Sequence, residues 1–318
     1  MSKNSSFFWV ILILAKLYSS NLEAKSLFQY IGVKANFPAV DFDVSQLEDE
    51  TTAEVESQDT LGYISRDPEI IGLFAKVGHF SLELAHNISD DERTVDYKNL
   101  DLSWYHKRFS VRVMASQIED FFLNQGEGNI DLDSLEEEEK NHEGFFFQNG
   151  AVDVSLGIVS WGLHLANTMD LAEYPKKTGG GLVGIVTGDW TFIDGPKPLI
   201  PTDLQNEFGS DGTILSTQMM SANFQLGLVQ GIAIGPFYTG LSVAIGPGIA
   251  YVDYDLEDRV ISREVEALKM SLALNLGVST KSFFMGIEAS QRTQEYLLES
   301  IVVAAVRTNI GASLGIRF

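Results

Sequence analysis

The 318-residue chain has no cysteine, only 8 prolines, and half as many basic as acidic residues, 22 Lys+Arg against 44 Asp+Glu. Without cysteine there is no disulfide framework, no thiolate zinc site, no iron–sulfur cluster and no thiol to carry an N-terminal lipid. A formal net charge of −22 lacks the basic footprint that a nucleic-acid partner needs. After residue 24 no apolar run approaches the roughly 20 residues that a membrane-crossing helix requires, which excludes a helical membrane protein.

What is present begins with a leader. Lys3 supplies a positive charge, residues 7–15 (FFWVILILA) are unbroken and apolar, and Leu22-Glu23-Ala24 ends on a small residue. That order predicts a secretory signal over residues 1–24 and an exported mature chain of one domain, residues 25–318.

Beyond the leader the recurring period is two. Read back from Phe318, one face carries Phe318, Ile316, Leu314, Ala312, Ile310, Thr308, Val306, Ala304 and Val302. The other carries Arg317, Gly315, Ser313, Gly311, Asn309 and Arg307. Alternating Cβ directions put these sets on opposite faces of a strand. The pattern returns at 268–278, 283–289, 222–228, 152–158, 109–115, 100–104 and 80–84, and no helical template fits better. The fold class predicted is all-β.

Short connections at 77–79, 105–108, 234–236 and 280–282 contrast with long ones expected at 37–68, 119–144 and 194–216. Short turns on one side and long loops on the other are the habit of a transmembrane barrel. Paired segments of about 9–15 residues also suit a tilted crossing better than a soluble sandwich, whose strands are nearer 5–6. About thirteen segments can be placed; single-chain bacterial barrels have even counts, so twelve strands are expected, with fourteen as the alternative. The expected location is the outer membrane of a Gram-negative-type bacterium.

The ending Leu314, Ile316, Phe318 resembles the C-terminal assembly signal of bacterial outer-membrane barrels, which implies membrane lipids and the assembly machinery as partners. More widely, residues 63–85 (YISRDPEIIGLFAKVGHFSLELA) and 96–123 (DYKNLDLSWYHKRFSVRVMASQIEDFFL) resemble hairpins of an uncharacterised domain-of-unknown-function family of outer-membrane barrels. Residues 174–184 and 223–248 are similar to later segments of it. The resemblance implies location and architecture, and no reaction.

Eight charges fall on the polar face: Glu83, Asp101, Arg112, Asp153, Lys269, Glu288, Arg292 and Arg307. They are expected to face the lumen, as a selectivity zone or as a salt-bridge network, and the mixture of signs favours the network. His164 beside Ser155 or Ser160 is the one faint nucleophile–base pairing, and no enzymatic signature accompanies it. Asp131, Asp133 and the acidic run 136–139 depart from calcium-loop spacing, and Gly179 to Gly181 precede no phosphate-binding helix. No metal, cofactor or catalytic residue is expected. The leading function is a channel or uptake pore for small solutes, the alternative is a non-conducting structural or surface-interaction barrel acting through acidic extracellular loops, and a barrel enzyme ranks third.

Overall fold

A computed structural model describes residues 28–46, 59–65, 70–77, 79–87, 98–106, 109–127, 130, 132, 135–161, 178–256, 259–298 and 301–317. The leader and Phe318 lie outside these residues, as does His164. The chain is a single antiparallel sheet closed into a transmembrane barrel of twelve strands, with one further strand above it. In chain order the strands are β1 (Phe28–Gln46), β2 (Thr60–Ser65), β3 (Ile70–Val77), β4 (Phe80–Asn87), β5 (Lys98–His106), β6 (Phe109–Glu127) and β7 (Asn141–Trp161). They continue with β8 (Gly179–Asp194), β9 (Ile214–Ile234), β10 (Phe237–Leu256), β11 (Val260–Ser279), β12 (Phe283–Leu297) and β13 (Ile301–Arg317). From β3 onward each strand pairs with the next, β1 pairs with β3, and β1 closes on β13 from Tyr30↔Arg317 to Gln46↔Ile301.

Several strands are much longer than a bilayer needs. β7 and β9 have 21 residues, β10 and β11 have 20. About 20 residues at about 3.4 Å each, tilted about 40°, rise about 50 Å, against a hydrocarbon core of about 30 Å. The surplus shows in the side chains. On β11 the outward residues Leu276, Leu274, Leu272, Met270 and Leu268 are exposed and apolar, and the next two outward are Glu266 and Glu264. Its inward face does the reverse, from Asn275 and Lys269 to Ala267, Val265 and Ile261. On β1, outward Val33 and Phe37 give way to Asp41 and Asp43, while inward Lys34 and Asn36 give way to Val40, Phe42 and Val44.

Polarity thus inverts partway up each of these strands. Below the inversion, apolar residues face lipid and polar ones the lumen. Above it, a stub has an apolar interior and a polar exterior, as water outside demands. From β10 to β12 the inversion falls lower on each successive strand when followed along the register, as tilted strands crossing a flat boundary require.

Two expected loops are therefore corrected. The region 37–68 holds the upper half of β1 and all of β2, and 119–144 holds the upper end of β6 and the start of β7. The chain alternates through both, but with the opposite phase. Two outer connections, 257–259 and 298–300, are short, while 162–178 on the short-turn side is long. The thirteenth strand is β2, outside the twelve-strand ring, and Gly179–Asp194 is the ring strand β8.

β2 changes the ring. Below, β1 pairs with β3 up to Asn36↔Ile70, and β6 pairs with β5 up to Gln117↔Lys98. Above, β1 and β6 both pair with β2, from Asp41↔Ile64 and Phe121↔Ser65. One strand replaces three, so the stub is narrower than the membrane ring. The seam has fittings. Pro38, with no N–H to leave unpaired, stands where β1 is between partners. Val40 donates its N–H to Ser65 Oγ at 3.0 Å. On β6, Asp120 bulges at φ 62°, a conformation aspartate tolerates better than most side chains.

The inversion makes a prediction. Leu272→Arg, in the lipid belt, is expected to cost about 2–4 kcal/mol. Glu264→Arg, equally outward but in the stub, should stay within about 0.5 kcal/mol. Urea unfolding of both variants in phospholipid vesicles checks this, and equal costs would place the lipid boundary elsewhere.

Candidate functional site

The interior is built in three layers. At the turn end, inward Tyr30, Phe74, Tyr238 and Phe284 form a buried aromatic layer. Ring centroids lie 5.6 Å apart for Tyr30–Phe284, 5.8 Å for Phe74–Phe284 and 6.1 Å for Tyr30–Phe74. Rings this large fit because glycines lie beneath them: a Cβ at Gly32 would strike Phe74, and one at Gly315 would strike Phe284. Lys76 Nζ stands 5.4 Å from the Tyr105 ring centre and 5.9 Å from that of Tyr30, and the Arg317 guanidinium stands 5.6 Å from Phe284. Both lie within cation–π range.

The middle layer is ionic. Lys34, inward on β1, reaches Glu83 on β4 at 3.1 Å and also pairs with Glu288 on β12. Arg112 donates from Nε to Asp101 at 2.7 Å and pairs with it again through Nη2. Arg292 meets Asp153 at 3.1 Å, and Lys269 meets Asp189 at 2.5 Å. Arg307 donates to Asn99 Oδ1 at 2.9 Å. Asn223 donates to Asp189 Oδ2 at 3.1 Å. All eight charges singled out in the sequence lie here: Glu83 and Glu288 share Lys34, and Arg292 takes Asp153. Sequence reading did not single out Lys34 or Asp189. Lys34 shares the inward face of β1 with Asn36, and Asp189 that of β8 with Thr187, so the parity of those strands would have found them.

This layer holds as many cations as anions, Lys34, Arg112, Lys269, Arg292 and Arg307 against Glu83, Asp101, Asp153, Asp189 and Glu288. A cavity in it has a volume of about 110 Å³, lined by Lys34, Glu83, Asp101, Arg112, Arg292 and Arg307 among others. At about 30 Å³ each, that is room for three or four waters.

The top layer is a hydrophobic core. Phe42, Tyr63, Phe121, Phe145, Tyr254 and Tyr296 point into it from the stub wall. The connection between β8 and β9 fills its centre with Leu199, Ile200, Leu204 and Phe208. Within this connection Thr202–Asp211 forms two 3₁₀ turns broken at Gly209, whose φ of 65° suits glycine. Polar bonds pin it. Leu199 N–H donates to Ile214 O at 2.6 Å, and Leu199 O accepts from Tyr63 Oη. His142, fully buried, lies with Nε2 3.2 Å from that same oxygen and Nδ1 3.3 Å from Lys140 O. Tyr254 Oη donates to Asp211 Oδ1 at 2.9 Å, and Arg263 Nη2 donates to Tyr254 Oη at 2.7 Å. His142 follows the acidic run that sequence reading leaves as a loop, so its burial was not legible there.

Among the described residues no group of His, Asp and Glu is arranged to hold a metal ion. Leu314 and Ile316 lie on the exposed apolar face of β13, and Phe318 lies outside the described residues.

Two predictions follow from the layers. Lys269→Met strands the buried Asp189 carboxylate and is expected to cost about 3–5 kcal/mol, while the pair Lys269→Met with Asp189→Leu recovers most of it. Chemical unfolding of the single and double variants reads the difference. Asp211→Ala removes the acceptor that ties the plug to β10 and β11, for about 1–3 kcal/mol. Faster limited proteolysis within 195–213, with the membrane ring intact, is the expected result.

No family model matches the chain, and no curated protein matches it. Among solved structures it is similar to the outer membrane protease OmpT of Escherichia coli, with 9% identity, TM-score 0.41, and 92% of this chain and 98% of that one covered. It is also similar to the Pseudomonas putida toluene transporter TodX, with 7% identity, TM-score 0.29, and coverage of 95% and 94%. A third likeness is to the CymD monoaromatic hydrocarbon channel, with 9% identity, TM-score 0.28, and coverage of 90% and 88%. At these scores the likenesses carry no function to this chain.

Proposed function

We propose that the chain is an integral outer-membrane barrel that does not pass solutes through its lumen, and that it works as an anchored extracellular stub. The observation that carries this reading is the stoppered interior. Among the described residues a hydrophobic core fills the stub, aromatic side chains of β1, β3, β10 and β12 cluster at the turn end, and the ion pairs between them line a cavity of about 110 Å³. A pore for polar solutes needs a continuous path, and one that selects by charge carries an excess of one sign along it. The balanced pairs fit the alternative of a rigid, filled barrel, as small barrels allow.

The working surface is then the outside of the stub. Asp253, Asp255, Glu264, Glu266, Glu295 and Asp194 point outward above the lipid belt. Held on rigid strands, these carboxylates present a negative field to water, which attracts cationic groups and repels acidic ones. The partner class this suits is a basic protein surface.

Planar-bilayer recordings test the reading. The wild type is expected to give no stepwise conductance. A variant lacking residues 202–211 and carrying Tyr30→Ala and Phe284→Ala, which opens both ends, is expected to conduct. Regular openings by the wild type would restore the uptake-pore reading.

A further inference from the structure

The step between the two rings leaves a concavity in the outer wall. Where β3, β4 and β5 stop and β2 takes over, a cavity of about 430 Å³ opens outward. That is the size of an ordinary ligand pocket, for which the usual range is about 300–1,000 Å³. Its lower wall is apolar: Ile71 and Leu73 from β3, Leu84 from β4, Leu100 from β5 and Ala115 from β6. All five are outward residues, and Leu84 and Leu100 belong to the same exposed surface as Leu82 and Leu102 below them. The pocket floor is thus continuous with the lipid belt.

Its upper rim differs. His86 and Lys98 face each other across β4 and β5, with Gln117 on β6 and Gln148 on β7 beside them. All four can donate hydrogen bonds. No carboxylate lines the pocket among the described residues, although the stub above is rich in them. His86 and Lys98 hold other interactions as well, and the lysine's attraction for an anion persists alongside these.

We propose that this step binds one lipid of the outer leaflet, an acyl chain on Leu73, Leu84 and Leu100 and an anionic phosphate head at Lys98, His86 and Gln117. The level of the site supports this occupant: its apolar part lies where the lipid belt ends, and its donors lie where headgroups begin. A soluble ligand would not need the junction at that height. The inference rests on the membrane ring and its step, not on whether the lumen conducts.

The test uses the full-length protein, equilibrated with equal amounts of phosphatidylglycerol and phosphatidylcholine in mixed micelles and read by native mass spectrometry. The wild type is expected to retain one phosphatidylglycerol, favoured about tenfold over phosphatidylcholine, a preference worth about 1.4 kcal/mol. Lys98→Gln should retain a lipid but lose most of the preference. Leu100→Trp, which fills the floor, should retain neither, while Ile249→Trp, outward on β10 and away from the step, should behave as wild type. Heat-modifiable mobility on cold detergent gels confirms that each barrel is folded; if Leu100→Trp fails it, Leu84→Phe takes its place. Equal retention by the floor variant and the wild type, or no lipid retained by the wild type, would overturn the site. An unchanged preference in Lys98→Gln would overturn the assignment of the head.

Discussion

The structure depends on where water meets lipid along each strand. A β-strand has two faces and cannot change which one points outward, but the solvent outside changes at the membrane surface. Strands such as β1, β10 and β11 answer by exchanging the polarity of their faces at that level, as β11 does between Leu268 and Glu266. The lower part is then a membrane barrel with a polar filling, and the upper part is a water-exposed barrel with an apolar filling, both made from the same strands. Hydrophobic stabilisation of the usual kind, apolar area removed from water, is concentrated in the stub. In the lower part lipid already shields the outward apolar residues, so the lumen must satisfy its own polar groups, which it does through paired charges.

The narrowing of the ring follows from the same division. An eight-residue strand such as β3 or β4 rises only about 20 Å on the same reckoning, and once β3 and β5 end, β1 and β6 need new partners. β2 supplies both at once. The residues at the change of partner suit it locally: Pro38 has no donor to lose, Ser65 substitutes a hydroxyl for a missing strand, and Asp120 takes the bulge that realigns β6. A narrower ring leaves less space to fill, and the turns carrying Leu204 and Phe208 fill it.

The membrane ring was legible in the sequence wherever the alternation kept one phase, as at 268–278 and 310–316. It was lost at 38–46, where Val40, Phe42 and Val44 continue the period of two on the face that Lys34 and Asn36 had occupied. Judged against a single phase, such a stretch reads as irregular, although its backbone is unbroken strand. The charged lumen was legible because Asp, Glu, Lys and Arg on an otherwise small-residue face have few other places to go. Their pairing was not, since it depends on which strands meet across the barrel, as Lys34 of β1 meets Glu288 of β12. His142 and the plug were hidden for a further reason: a connection packed inside a barrel has the composition of a loop and the burial of a core.

The position of the plug bears on how the molecule is put together. The seam between β1 and β13 runs the full height of the barrel, and it joins strands from opposite ends of the chain. The 3₁₀ turns that fill the stub pack against both of those strands. The connection enters from the rim, between the upper ends of β8 at Asp194 and β9 at Ile214, and its Leu204 and Phe208 share one core with Phe42 and Val44 of β1 and Ile301 and Val303 of β13. Seating the turns and sealing the seam bury apolar surface against each other, so each step stabilises the other.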